Sequence, residues 1–219
     1  MTLISADKPT NGSHARINDP ERVKENILEA ATIAFARGGL SGARVDEIAE
    51  QTHTSKRMIY YYFESKEGLY RAVLARCYAD IRAREAIIDV DDLPPEEALA
   101  QIVRLKFAYH MEHPAFVRLV MVENIHQGDQ VRHLDQPRDR GIFAIERLRN
   151  ILKRGAAKGV FRDDLDAMDV HNSISALCFY NVSNRWTVAH LTGHDMGQAE
   201  NAQLRVEAVV DMVLRYCRV

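Results

Sequence analysis

Cysteine is scarce and unpaired: Cys77, Cys178 and Cys217 are odd in number, lie far apart and form no C-x-x-C. A disulfide framework and a zinc finger are thereby excluded, and the thiols read as reduced and mostly buried. No run of apolar residues approaches the length needed to span a bilayer, and the N-terminus lacks the apolar core of a signal peptide. A soluble, cytoplasmic protein with no membrane partner is therefore expected. Charge of one sign is also missing. Net charge is −2, and residues 1 to 66 carry nine Lys/Arg against nine Asp/Glu, so bulk electrostatics argue nothing for nucleic acid. There is no G-x-S-x-G, phosphate-binding loop, dinucleotide fingerprint or kinase signature, and Glu123 and Asp129 form no evident acid/base pair. Neither an enzyme nor a cofactor is expected. Repeats, low-complexity segments and alternating strand patterns are absent too.

What the chain does have is apolar residues at helical spacing almost from end to end. With 47% hydrophobic residues in 219 it can build a sizeable core, which excludes disorder of the whole. Residues 1 to about 18, with Pro9, Asn11, Gly12 and Ser13 and no apolar period, read as a mobile tail. Asp19-Pro20 then supplies a cap and a first turn. Val23, Ile27, Ala30, Ala31, Ala34 and Phe35 form a stripe that stops at Gly38-Gly39. Two short helices follow, and a longer one from Lys66 to about Ile88 carries Leu69, Val73, Cys77, Ile81 and Ile88 on one side. Asp89, Asp91 and Asp92 break it, and Pro94-Pro95-Glu96-Glu97 starts the next with acids at the positive end of the dipole. Between Ile102 and Met111 that helix is apolar on nearly every side apart from Arg104 and Lys106, the pattern of a helix surrounded by others. Further helices are expected from Pro114 to near Gly128, from Pro137 to Lys158 before a Gly159-Val160 cap, from Asp166 to Leu191, and from Gly197 onward. The fold class is all-α, with about nine helices.

The most specific segment is Arg44 to Lys66, RVDEIAEQTHTSKRMIYYYFESK. Val45, Ile48 and Ala49 recur at helical spacing on its first helix. On its second, Ile59 and Phe63 lie four apart, which directs Lys56, Arg57, Tyr61 and Tyr62 largely elsewhere. A short helix buried on one side and offering Lys, Arg and Tyr on the other fits a DNA major groove. Ser55 is placed to cap that helix. Arg57 has the planar fork for a bidentate contact to guanine, Lys56 suits a phosphate or a base, and Arg44 is a further candidate phosphate contact. The acids of the first helix are expected to fall mostly on its other face. Three consecutive tyrosines, Tyr60, Tyr61 and Tyr62, cannot all face one core.

This segment resembles the helix-turn-helix of the tetracycline-repressor (TetR) family. The pattern I-A-x-x-x-G-V-S-x-x-x-(L/I)-Y-x-x-F-x-x-K-x-x-L is met by Ile48, Ala49, Ser55, Ile59, Tyr60, Phe63, Lys66 and Leu69. It is departed from at the turn, where His53 replaces the usual glycine and Thr54 the usual apolar residue. Histidine tolerates a left-handed backbone less well than glycine, so a modest local loss of stability is expected. The resemblance implies that Tyr60 packs partly against the small domain and still reaches DNA, and that Tyr61, Tyr62 and Lys66 meet phosphates. It also implies a division into a tail (1–18), a DNA-binding domain (19–65) and a ligand-binding and dimerisation domain (66–219). The partners implied are a palindromic operator, a second copy of the chain and a small effector. The stretch HPAFVRLVMVE and the closing helices most resemble the subgroup that includes a pyrimidine-utilisation regulator, without assigning a ligand.

In the C-terminal part, Tyr78, Phe107, Met111, Phe116 and Val120 are candidates to line a cavity, joined by Phe143, Arg147, Asn181 and Trp186. Apolar walls with a few polar anchors are what a small-molecule site needs, although for any single residue here an ordinary core is the better explanation. Arg147, Asn181 and Arg185 stand out because polar groups inside must be paired, by protein or by ligand. The helix from Asp166 is apolar around much of its girth, with Ile174, Cys178 and Val182. The last helix adds Leu204, Ala208, Val209, Met212 and Val213. The two are expected to pair with their symmetry mates in a four-helix dimer interface. His110/His113 and His190/His194 have spacings that suit metal ligands but lack an H-E-x-x-H signature, so they read as structural or surface histidines with no metal. Taken together, the residues and the resemblance describe a sequence-specific DNA-binding regulator, a repressor released by an effector. The alternatives are a helical DNA-binding protein whose core is simply filled, and a helical enzyme with an accessory DNA-binding head.

Overall fold

The computed structural model describes residues 19–87, 89–134 and 137–219, without the side chains of 137–141. The expected tail (1–18) and Ile88 lie outside the described residues. Among the described residues, ten α-helices and one short 3₁₀ turn follow in order: α1 Pro20–Gly42, α2 Val45–Gln51, α3 Lys56–Phe63, α4 Lys66–Ile87, α5 Pro95–Glu112, α6 Pro114–Ile125, the 3₁₀ turn Val131–His133, α7 Pro137–Ala157, α8 Ala167–Ser183, α9 Arg185–Thr192 and α10 Ala199–Cys217. Among the described residues the β-structure is one isolated bridge, Phe161 to Arg218. The count of nine is corrected to ten, because the stretch from Asp166 to Leu191 is two helices. They part at Asn184 (φ −106°, ψ 5°), whose amide donates to Ser183 Oγ at 2.8 Å. Adjacent Ser and Asn side chains offer the backbone a competing local partner, which favours a break.

Local chemistry sets the starts and stops. Asp19 accepts from the Glu21 amide at 3.1 Å with Pro20 in the first turn of α1. Gly39 (φ 63°, ψ −174°) kinks α1 near its end, in a conformation that glycine adopts without strain. Asp166 accepts from the Asp169 amide at 2.9 Å to open α8, and Pro95 and Pro114 begin α5 and α6.

Packing divides into three apolar clusters. The first joins Ile27, Phe35, Val45, Ile48, Ile59 and Phe63 to Leu69, Tyr70, Val73 and Leu74, so the small N-terminal core runs past residue 65 into α4 and also takes in Leu119 of α6. The largest surrounds α5, with Val103 and Phe107 against Leu148, Ile151, Val170, Ile174, Val209 and Val213. Between them Ile81, Tyr109, Phe116 and Val117 form a third. Helix α1 packs on both α4 and α6, while α5 touches α4, α6, α7, α8 and α10. The buried Glu123 ties the chain after α6 in place. Its carboxylate accepts from the amides of Gln130 and Val131 at 3.1 and 3.0 Å, and Arg71 of α4 donates to the Gln130 side chain at 3.2 Å.

The α3–α4 junction fixes how the second short helix is presented. Glu64 turns with φ 65°, Ser65 Oγ caps α4 by accepting from the Gly68 amide at 2.9 Å, and a methyl group on Gly68 would lie 2.0 Å from the Phe63 carbonyl oxygen. Gly68 is thus required by close backbone approach. Gly68→Ala is expected to lower stability by about 1–3 kcal/mol, the usual cost of overpacking, as read from the shift of a denaturant-unfolding midpoint. An unshifted midpoint would show that the junction yields.

Candidate nucleic-acid interface and interior cavity

The turn between α2 and α3 places His53 at φ 50°, the left-handed region that its motif position calls for. The Thr54 amide returns to the Ala49 carbonyl at 3.0 Å, and Ser55 Oγ accepts from the Met58 amide at 3.2 Å, capping α3. Ile59 and Phe63 are buried, which leaves Lys56, Arg57, Met58, Tyr60 and Tyr61 exposed; Tyr61 is 75% exposed. Tyr62 is half-buried against the small core, and its ring meets Tyr61 edge-on at 5.4 Å. The acids of α2 do not turn away as expected. Asp46 pairs with Lys56 at 3.0 Å across the turn, and Glu47 lies 3.8 Å from Arg44. The tertiary placement of two short helices, invisible to a single-helix pattern, causes this. Hydrogen bonding to Asp46 raises the Lys56 pKa above its ordinary value. Lys66 Nζ donates to the Ser41 carbonyl at 3.3 Å. Arg57 makes no hydrogen bond or ion pair among the described residues.

Deeper in the molecule, a partly open cavity of about 330 Å³ is lined by Tyr78, Phe116 and Val120, as expected, and also by Ile81, Phe179 and several polar side chains. The other expected lining residues lie elsewhere. Phe107 is sealed into the large core, and Met111 packs beside it and borders a separate surface groove with Trp186. Phe143 is 54% exposed and Trp186 56%, so neither is interior; each falls on the outer side of its helix. Asn181 is fully buried but already paired. Its amide donates to the Leu177 carbonyl at 2.6 Å and its oxygen accepts from Arg205 at 3.3 Å. Arg147 borders a narrow adjoining cavity and donates to the Glu85 carbonyl. Arg185 forms a two-point pair with Asp195 at 2.7 and 2.9 Å, and this holds the Asp195 carboxyl down at about 2.

The polar side chains that line the cavity are Arg82, Lys106, His110, Asn124, His171 and Ser175, with Glu85 beside them. Lys106 and His110, both 5% exposed, sit one turn apart on α5. Lys106 Nζ donates to Ser175 Oγ at 3.2 Å and lies 3.8 Å from Glu85, which also pairs with Arg82. The signal in the sequence was a Lys and a His four apart within a stretch, Ile102 to Met111, that is otherwise largely apolar apart from Arg104. Burial lowers the Lys106 pKa, with Glu85 opposing. Burial, reinforced by Lys106, lowers His110 to about 4; burial with Lys106 and Arg82 lowers His171 to about 4. His110 Nδ1 is buried without a hydrogen-bond partner. His113 faces away from this cavity, stacked on Tyr109 at 4.2 Å, so the His110/His113 pair does not converge. Among the described residues no group of three or more His, Cys, Asp or Glu is arranged to hold a metal ion, and no helix is long and apolar enough to cross a membrane.

The expected dimer residues divide by burial. Ile174, Cys178, Val209 and Val213 are all below 5% exposed and belong to the chain's own core, which removes them from any interface. Val182 is half-buried. Leu204, Ala208 and Met212 form an exposed stripe on α10, with Leu204 at 67%. A helix apolar on two sides gives no phase from which to tell the inner side from the outer.

A three-helix head with a capped, exposed reading helix on an all-helical body defines a helix-turn-helix transcription regulator. Residues 27–73 match the model of bacterial regulatory proteins of the tetR family, and residues 95–213 match that of the tetracyclin repressor-like C-terminal domain. The chain is 34% identical to the HTH-type transcriptional repressor NicS of Pseudomonas putida over 209 residues, 95% of this chain and 99% of that one. It is also 38% identical to the HTH-type transcriptional regulator RutR of Escherichia coli over 100 residues, 46% of this chain and 47% of that one. The fold matches the crystal structure of the transcriptional regulator SCO4942 from Streptomyces coelicolor with a TM-score of 0.66 at 25% identity, over 89% of this chain and 98% of that one. The chain belongs to the TetR family.

The cavity histidines generate a pH prediction. Each ring ordinarily titrates near 6.5 and stays neutral down to about 4 when folded, so the unfolded chain takes up protons first as pH falls. The stability they contribute is complete above pH 6.5, is lost progressively from 6.5 to about 4, and changes no further below that. Replacing both His110 and His171 with Gln should flatten the fall of the urea midpoint across this window. An unchanged slope would assign acid sensitivity to other groups.

Proposed function

We propose that the chain is a cytoplasmic repressor that binds a palindromic operator as a homodimer and releases it when a small molecule enters the cavity between α4, α5, α6 and α8. The observation that carries this reading is the first turn of α3, exposed and capped, where Arg57 is uncommitted among the described residues. In this reading residues 19–65 form the DNA-reading head and 66–219 the effector and dimer domain. Arg57 reads a base edge. Lys56, Lys66 and Arg44 hold contacts to Asp46, the Ser41 carbonyl and Glu47 that a phosphate replaces, and Tyr60, Tyr61 and Tyr62 add phenolic donors. A core that is merely filled is disfavoured by the cavity and by the unpartnered His110 nitrogen.

The switch runs along α4. Lys66 stands at its first turn, while Tyr78, Ile81 and Arg82 line the cavity at the other end. A ligand that draws Lys106 or Arg82 from Glu85 changes what holds α4 to α5. Such a ligand shifts the heads only by its differential affinity for the two states, and a hundredfold loss of operator affinity needs about 2.7 kcal/mol.

Two measurements test the assembly. Arg57→Ala should cost about 1–3 kcal/mol on the operator and relax specificity at one base pair per half-site, whereas Lys66→Ala should weaken all sequences alike and lower the salt slope by about one, as read by fluorescence anisotropy across salt. Equal loss of specificity in both contradicts the assignment. For the dimer, Leu204→Glu combined with Met212→Glu should give monomers by light scattering and abolish operator binding, since the twofold spaces two heads about 34–36 Å apart. A stable dimer in that variant would move the interface elsewhere.

A further inference from the structure

The cavity's walls and charges together restrict what it can hold. At about 330 Å³ and open to solvent on one side, it lies at the small end of ligand sites and suits a small ligand. Its apolar side is aromatic. Tyr78 and Phe116 meet edge to face at 5.5 Å, Phe116 lies nearly parallel to His110 at 6.1 Å, and Phe179 stands perpendicular to His110 at 5.7 Å. Such rings receive a flat ring by offset stacking or edge contact better than a chain or a saturated ring. Its polar side carries a surplus of positive charge. Lys106 and Arg82 converge on one carboxylate, Glu85, and the histidines beside them are neutral. A buried ammonium that shares its carboxylate with a guanidinium is under-compensated, and one further anion would complete it. One turn along α5, His110 also lines the cavity; its ring has a backbone hydrogen bond at Cys178, while its Nδ1 atom is buried without a partner. Residues four apart on a helix hold their Cβ atoms about 5–6 Å apart, the span of one substituted aromatic ring.

We propose that the cavity binds a single-ring aromatic monocarboxylate bearing one further polar group on the ring. The carboxylate meets Lys106, Arg82 and Ser175, the ring lies among Tyr78, Phe116 and Phe179, and the second polar group satisfies His110 Nδ1. A hydroxyl fits that last position whichever nitrogen of His110 carries the proton, because it both donates and accepts. A dication or a bare cation meets a like charge, and a neutral isostere leaves Lys106 as it is. This inference rests on the reading of the cavity as the effector site.

The test is isothermal titration of the full-length protein with 3-hydroxybenzoate and 4-hydroxybenzoate, each against its own primary amide, with cyclohexanecarboxylate and benzylamine as further probes. At least one hydroxybenzoate should bind once per chain, its amide at least about tenfold more weakly, and the saturated acid and the amine more weakly still. Lys106→Met should abolish the preference for acid over amide, and His110→Phe the preference for hydroxybenzoate over benzoate. Lys106→Arg, which keeps the charge, and Ser175→Ala guard against a Lys106→Met protein that does not fold. In these the preference should persist and weaken, respectively. Amides binding as tightly as their acids, benzylamine binding best, or no acid binding at millimolar concentration would each overturn the proposal. If a neutral or cationic ring compound binds and displaces operator, the effector site stands and its ligand class falls. If no ring compound binds while operator binding persists, the effector reading falls with it and the DNA-binding reading stands.

Discussion

Helix α4 is buried twice. Leu69, Tyr70, Val73 and Leu74 lie in the core of the small N-terminal bundle, and Ile81 lies in the cluster it shares with Tyr109 and Phe116. Each large apolar side chain sealed in this way is worth about 1.5–3 kcal/mol relative to exposure, so neither end of the helix comes loose cheaply. The head therefore cannot reorient without carrying α4, and α4 cannot shift without disturbing the cavity it helps to line. Helix α1, packed on α4 and α6 together, closes the same connection from the other side.

The body is held by a different balance. Around α5 the stabilisation is apolar and non-directional, and the surface pair Arg104–Glu207, with both partners about half exposed, adds at most about 1 kcal/mol. The cluster of Arg82, Glu85 and Lys106 sits where desolvation costs more than a single shared carboxylate returns. Such a site contributes little to folding and is sensitive to whatever enters beside it. Asn181 and Arg185, each paired within the protein, lie outside the cavity.

The sequence carried most of the fold because the decisive signals were local. Asp19-Pro20, Gly39, Ser55 and the Ile59/Phe63 spacing each act within one turn of helix, and each has its expected backbone conformation or burial. What it concealed was tertiary. The pairing of Asp46 with Lys56 depends on the angle between two helices that a linear pattern does not contain. The inner and outer faces of α10 are both apolar, so Val209 and Leu204 were indistinguishable until packing chose between them. In the sequence Lys106 stands out only as a polar exception on an apolar helix, beside Arg104, and His110 only as half of a metal-spaced pair, and neither pattern points to a cavity. The exception is where the cavity lies. Phe143 and Trp186, by contrast, satisfied the idea of an apolar wall in composition alone.

The tether at Glu123 has a mechanical consequence. By holding the amides of Gln130 and Val131 while Arg71 donates to the Gln130 side chain, it joins the chain after α6 to the first turns of α4. At 1.5 Å of rise per residue, Lys66 is about 7 Å from Arg71 on one side and Glu85 about 21 Å on the other. Displacing the segment after α6 therefore pulls on the first turns of α4.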